Sequence, residues 1–275
     1  MATSDQLEVV GLTAADIDGG MTLSTEAGWN QTADDWRHFI EKGRTIGVRD
    51  GDGTLVATAA ALPYDGPFGF IGMVLVTQSW RRKGIATRLV DRCMETFEGW
   101  NLVPVLDATA AGEEVYTRQG FVPQFRYDRW QGSCNGGASS GNRKDAAALI
   151  ELDQAAFGAS RAGLMKDFVG REGTQALLAA GGDGFAMIRR GRRAWQAGPV
   201  VAPDEQSALN LIRGLLESAS GSVFIDVPQC WQAIGKWLQD AGFTIQRSFA
   251  RMALGRAETF GDPSRLFAVA GPEFG

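Results

Sequence analysis

Apolar and polar positions change their period sharply near residue 80. Residues 70–76 form a continuous apolar run and predict a strand. A short polar turn follows, with three successive cations, Arg81, Arg82 and Lys83, and then Gly84. Beyond the glycine, Ile85, Ala86, Leu89, Val90, Cys93, Met94 and Phe97 recur at three- and four-residue steps, which predicts an amphipathic helix. A strand therefore feeds a basic, glycine-containing turn that opens a helix. Such a turn aims unpaired backbone N–H groups and the positive end of a helix dipole at one point, and that point favours phosphate or pyrophosphate. The plainer alternative is a helix start with solvated cations. Residues 102–106 predict a second apolar strand.

Residues 132–142 are small, polar and glycine-rich, which predicts a linker. A new helical pattern starts after them, with Ala146, Leu149, Ile150, Asp153, Ala156 and Phe157. The organisation read from this is a domain over 1–132, a flexible linker over 133–144 and a second domain over 145–275.

The spacing Arg81-x-x-Gly84-x-Ala86 resembles the pyrophosphate loop of the GNAT superfamily of acyl-CoA-dependent N-acyltransferases. Downstream, Glu113-Glu114-Val115-Tyr116-Thr117-Arg118-Gln119-Gly120-Phe121 resembles that family's helix with a tyrosine four residues before Gly-Phe. The second half resembles the same architecture: strand 195–201, helix 204–219, strand 222–227, and helix 231–241 ending at Gly242-Phe243. The two Gly-Phe pairs are a domain length apart, as in an internal repeat. The stretch from Arg251-Met252 to Pro272-Glu273-Phe274-Gly275 resembles the C-terminal domain of a bacterial tandem-GNAT group. The resemblance implies an α/β fold of two tandem GNAT-like domains, each a central mixed sheet flanked by helices. One departure stands out. The second loop, from Gly198 to Glu205, has no basic residue and no Gly-x-Gly/Ala, and its Asp204 and Glu205 would repel a pyrophosphate.

Composition narrows the class. The chain has 275 residues, 44% hydrophobic and 21% charged, enough for two ordinary soluble domains. A net charge of −5 argues against a general nucleic-acid binder. Cys93, Cys134 and Cys230 show neither metal spacing nor a disulfide framework, so a reducing cytoplasm is expected. The start of the chain has no secretory signal, and no apolar run is long enough to cross a bilayer. The expected partner is a small-molecule amine, with no nucleic acid and no membrane; a homodimer is left open.

The resemblance implies acetyl-CoA as cosubstrate and no metal. Its pyrophosphate falls to the turn Arg81, Arg82, Lys83, Gly84, Ile85, Ala86 and Thr87, where Gly84 admits close approach of the backbone. Its pantetheine amides fall to the backbone of Val74 and Val76, whose side chains read simply as core valines. Tyr116 is the implied general acid for the departing thiolate; a phenol titrates near 10 and a thiol near 8.5. The alternative is a packed aromatic. The base is open. Asp107 ends a strand and is read as base or amine anchor, or as a cap of the next turn. Glu26 is weaker, the lone histidine His38 reads as a surface or capping residue, and a base acting through water needs no side chain. Trp29 and Asn30 suit a wall of the acceptor pocket; the competing reading makes Trp29 and Trp36 core anchors and Asp34 an N-cap. Asp226 matches Asp107 in the repeat and is placed at the acceptor. Arg189, Arg190, Arg192 and Arg193 read as solvated charges of a hairpin, with an anion-binding surface as the alternative.

The function so predicted is acetyl transfer to a primary amine of a small metabolite by direct attack. One rival acceptor is a protein N-terminus or lysine, which would favour an open acidic groove. A second rival is a non-enzymatic acyl-CoA sensor, which would bind coenzyme without amine-dependent thiol release.

Overall fold

The computed structural model describes residues 8–137 and 146–275. The chain divides into two compact units, Met1–Leu106 and Asp107–Gly275.

In the first unit, β1 (Val9–Gly11), β2 (Arg44–Arg49), β3 (Leu55–Pro63), β4 (Phe68–Val76) and the start of β5 (Val103–Thr109) lie side by side in that order. Neighbours are antiparallel except β4 and β5, which are parallel. The helices are α1 (Ile17–Glu26), α2 (Ala33–Lys42) and α3 (Ile85–Trp100). The stripe read from sequence is the one α3 buries: Ile85, Leu89, Val90, Cys93 and Phe97. Helix α2 starts at Thr32, whose side chain accepts from Asp35 N while the Asp35 carboxylate accepts from Thr32 N, a reciprocal cap. Asp34 is therefore not the cap; it pairs with Arg37 on the surface.

The second unit holds the rest of β5, then β6 (Phe121–Asn135), β7 (Gln175–Leu178), β8 (Phe185–Arg190), β9 (Trp195–Val201), β10 (Ser220–Pro228), β11 (Thr244–Leu254) and β12 (Leu266–Ala268). Its helices are α4 (Ala110–Arg118), α5 (Ala146–Phe157), α6 (Ala162–Gly170), α7 (Glu205–Glu217) and α8 (Gln232–Asp240). The strands run β11-β6-β10-β9-β8-β7, with β12 also paired to β9. Along the chain, α1-α2-β2-β3-β4-α3-β5-α4-β6 is followed by α5-α6-β7-β8-β9-α7-β10-α8-β11, the same order twice. Gly120 and Gly242, both at positive φ, turn α4 and α8 into the buried Phe121 and Phe243.

The expected linker differs in part. Residues 133–135 belong to β6 and pair with Ser220, Gly221 and Ser222 of β10. Residues 138–144 of that linker lie outside the described residues.

Two buried ion pairs join the repeats across β6 and β11. Arg251 of β11 donates from Nε and Nη2 to the two oxygens of Asp107 at 2.9 and 2.8 Å. Arg129 of β6 does the same to Asp226 of β10, both at 2.8 Å. Both aspartate side chains are 0% exposed. Each arginine lies nine residues after the glycine of its Gly-Phe pair. Each aspartate is thus held by the other repeat's arginine. Between the pairs, the rings of Tyr127 and Phe249 stack at 5.1 Å and 19°.

Removing one partner of such a pair strands a buried charge, which typically costs 3–5 kcal/mol, whereas replacing both with apolar groups is far milder. Arg251→Met is therefore expected to destabilise the chain by about 3–5 kcal/mol in urea unfolding. Adding Asp107→Leu should recover most of that loss. If the single and double variants unfold alike, the pair does not carry this charge balance.

Candidate active site

The loop from Thr77 to Thr87 is shaped by groups within the first unit. Glu26, at the end of α1, accepts from Thr77 Oγ1 at 2.5 Å and from Gln78 N at 2.6 Å, fixing the first bend after β4. Those two hydrogen bonds, that of Thr77 foremost, hold the Glu26 carboxyl below its ordinary value. The Glu26 carboxylate shapes the loop, a simpler account than a role as base. Arg81 folds back and donates from Nε to Val76 O at 2.9 Å, so this guanidinium braces the loop. Lys83 Nζ lies 4.4 Å above the Trp80 ring. Arg82 and Gly84 both take positive φ, +61° and +75°.

Gly84 is the N-cap of α3, with no side-chain cap and no acidic residue in the first turn. The leading N–H groups of a helix have no carbonyl within their own helix. A Cβ built on Gly84 would meet nothing within 4 Å, so the space above the loop is open. Strand β4 adds a second opening. It bulges at Met73, at φ +54°, whose carbonyl accepts from Thr58 Oγ1. Pairing with β5 covers only Phe68–Phe70 of β4, and Val74 and Val76 lie beyond it, half-buried. An open cationic helix start following a strand end that lacks a partner on its β5 side fits an acyl-CoA: pyrophosphate on the first, pantetheine amides along the second.

The corresponding places in the second repeat are filled. Helix α7 is capped by its own Asp204, whose carboxylate accepts from Ser207 N at 2.8 Å. The backbone N–H of Ser207 holds the Asp204 carboxyl below its usual value, so the cap stays anionic. Glu205 Oε1 accepts from Ala233 N and Ile234 N at the start of α8. Strand β9 pairs with β10 over Trp195, Gln196 and Ala197. Past that point β12 takes the place beside β9, at Val200 and Val201, and Val269 N donates to Asp226 O. The chain's own strand occupies the edge that a pantetheine would need.

Tyr116 is half-buried on α4, its ring 6.1 Å from that of Phe121 in an edge-on contact. Asp107 does not cap the next turn; Thr109 is the N-cap of α4. Its enclosed carboxylate faces Arg251, and burial raises its pKa although Arg251 opposes this. Asp226, expected at the acceptor, already accepts three hydrogen bonds, two from Arg129 and one from Gln196 Nε2 at 2.8 Å. Its oxygens are committed to the core. Tyr127 Oη is buried and makes no well-formed hydrogen bond. Burial, then the charges of Asp107 and Asp226, push this phenol well above its usual value.

In the segment after α1, Trp36 is fully buried and donates to Ser24 Oγ at 3.0 Å, a core anchor. Trp29 is half-buried and Asn30 buried. The reading overlooked Gln31 beside them, whose Oε1 is buried without a partner; an amide next to Asn30 carries no special signal. His38 is 7% exposed, not a surface or capping group. Arg189 is also buried, donating to Gly198 O at 3.2 Å, so it is not a solvated hairpin charge. Among the described residues there is no cluster of potential metal ligands, and no helix is long and apolar enough to cross a membrane.

Comparison with known proteins finds a match in each half of the chain. Residues 18–121 match the Acetyltransferase (GNAT) family, and residues 149–268 match an Acetyltransferase (GNAT) domain. The chain is 24% identical over 249 residues to the uncharacterized N-acetyltransferase YitH of Bacillus subtilis, covering 86% of this chain and 87% of that protein. It is 27% identical over 232 residues to a holothin acyltransferase of Pseudoalteromonas, covering 80% and 78%. In fold it is similar to a proposed acetyltransferase of Pyrococcus horikoshii, with a TM-score of 0.83, 19% identity, and 98% and 96% of the two chains covered. A tandem GNAT protein of the clavulanic acid biosynthesis pathway gives a TM-score of 0.60 at 17% identity, covering 90% and 98%. With one GNAT match in each half, the chain belongs to the GNAT superfamily, as a tandem-domain N-acetyltransferase of the GNAT acyltransferase type.

Proposed function

We propose that the first repeat uses acetyl-CoA to acetylate the primary amine of a small molecule, and that the second repeat binds no acyl-CoA. The observation that carries this is the contrast between the two helix starts: α3 opens with glycine, cations and free space, while α7 is closed by Asp204. Acetyl-CoA, when bound, supplies an activated thioester. The chain's part is to hold it through the N–H groups of Gly84, Ile85, Ala86 and Thr87, with Arg82 and Lys83 adding charge. The backbone of Val74 and Val76 receives the pantetheine arm. Trp29 and Asn30 wall the acceptor, and Gln31 Oε1 supplies an acceptor for its N–H.

Transfer forms the N–C bond and breaks the C–S bond. Tyr116 Oη gives its proton to the departing sulfur. The surplus amine proton passes to water, and water returns a proton to Tyr116, since Asp107 is enclosed and paired with Arg251. No cysteine relay is involved: burial on α3 pushes the Cys93 thiol up to about 12, leaving almost no thiolate at neutral pH. The overall test is a panel of small amines and peptides with acetyl-CoA, read by free thiol. Release only with small amines supports the metabolite acceptor; release only with peptides moves it to a protein; none at all with any amine overturns the enzymatic reading.

Gly84→Glu puts a side chain and a negative charge into the open space over the loop. It is expected to abolish most acetyl-CoA affinity by calorimetry, with the fold intact by circular dichroism. Asp204→Ala with Glu205→Ala should leave that affinity nearly unchanged. The reverse pattern would move the coenzyme site to the second repeat.

Tyr116→Phe removes one hydroxyl. Turnover should fall by about a hundredfold, with coenzyme affinity nearly kept. Unchanged turnover where chemistry is rate-limiting would make Tyr116 a packing residue.

A further inference from the structure

The second repeat carries a cavity lined by none of the residues placed at the coenzyme site. It has a volume of about 310 Å³ and lies between α8, the middle of β6 and the end of β10. That is the lower end of the range for small-molecule sites. Its helical wall is Gln232, Gly235, Lys236 and Gln239, the i, i+3, i+4, i+7 positions of one face of α8, with no apolar side chain among them. Its opposite wall includes Trp130 and Asp128 of β6.

We infer that this cavity is a binding site for a small protonated amine that also bears hydroxyl or amide groups. Charge is the first argument. Lys236 is already paired with Asp240, at 3.0 and 3.2 Å, and the two cancel. Asp128 has no ion pair among the described residues. Its Oδ1 accepts from two neutral donors, Gln229 Nε2 at 2.9 Å and Ser248 Oγ at 2.5 Å. These orient the carboxylate without neutralising it. The cavity therefore has one uncompensated charge, and it is negative. An ammonium offers a carboxylate the strongest kind of hydrogen bond.

Shape is the second argument. Trp231 is held rigidly, its Nε1 donating to Leu266 O at 2.8 Å and its ring 4.2 Å from that of Phe267. Two indoles beside a carboxylate suit a cation or the face of a ring. Gly235 keeps the cavity open. A Cβ there would lie 3.4 Å from Trp130 Cζ2, in ordinary contact, so any longer side chain would extend into the space. Gln232 and Gln239 make no side-chain hydrogen bond among the described residues, leaving two amides for the polar groups of a ligand.

The test uses the full-length chain and glucosamine, which combines an ammonium, hydroxyls and a ring face; glucose is the neutral control. Calorimetry near pH 7 should show glucosamine binding and glucose binding at least about tenfold more weakly. Asp128→Asn should remove that preference. Gly235→Leu should block binding while keeping or raising thermal stability, since leucine favours a helix over glycine. Equal or absent binding of both sugars overturns the inference, as does wild-type binding by a folded Gly235→Leu. Thiol release with acetyl-CoA then separates two sources of the ligand. A raised KM for glucosamine in Gly235→Leu identifies the acceptor; unchanged acetylation kinetics identify a separate effector. Because binding is measured without acetyl-CoA, loss of the acyltransferase reading would leave this result standing.

Discussion

The crossed arginine–aspartate pairs are the constraint on which the second unit depends. A carboxylate with no exposed atom is tolerable only beside a well-placed cation. Asp107 and Asp226 each meet that condition with a two-pronged guanidinium supplied by the other repeat. The geometry fixes strand register. Arg129 and Arg251 reach their partners because β6 and β11 turn the odd-numbered faces of Tyr127-Asp128-Arg129 and Phe249-Ala250-Arg251 the same way, with Tyr127 opposite Phe249. A slip of either strand by one residue would send its arginine to the other face and leave a buried carboxylate unpaired. The pairs thus penalise wrong registers more than they stabilise the right one.

The same repeated order of elements has two outcomes at the place where an acyl-CoA would dock. In the first repeat, the helix start after β4 is left without a capping carboxylate and the strand end without a partner on its β5 side. In the second, each of these vacant groups has been supplied by the chain itself: Asp204 for the helix start, β12 for the strand edge, and Glu205 for the start of α8. Backbone groups that are not satisfied by a ligand must be satisfied from within. The second site satisfies its own backbone groups, and the first leaves them open.

The parts legible in the sequence were those set by local backbone chemistry. The stripe of α3 follows from periodicity and the turn at Gly84 from its glycine, while the strand 195–201 and the Gly-Phe turns at Gly120 and Gly242 come with the family resemblance. The illegible parts depend on contacts distant along the chain. Asp107 and Arg251 are 144 residues apart and Arg129 and Asp226 are 97 apart, and neither pair has a local signature. His38 was misjudged because Asp34, Asp35 and Arg37 make α2 look solvated, although Asp35 turns inward to cap and His38 follows Trp36 into the interior. Three-residue β12 is too short for any period to reveal.

The glycines of the expected linker show why composition alone misled there. At Gly132 and Gly136 glycine answers crowding, whereas Gly137 has open space around it. A Cβ on Gly132 would lie 2.5 Å from the Phe243 ring, and one on Gly136 only 2.0 Å from Glu217 O. Only a residue without a side chain lets β6 pass so close to the aromatic of the second Gly-Phe turn and to the end of α7. Strand β6 must run its full length to pair with β11 on one side and β10 on the other. A flexible joint at residues 133–135 would break the ladder with β10, and with it the alignment that brings Arg129 to Asp226. The same glycines that suggest a hinge in the sequence are what allow the strand to continue.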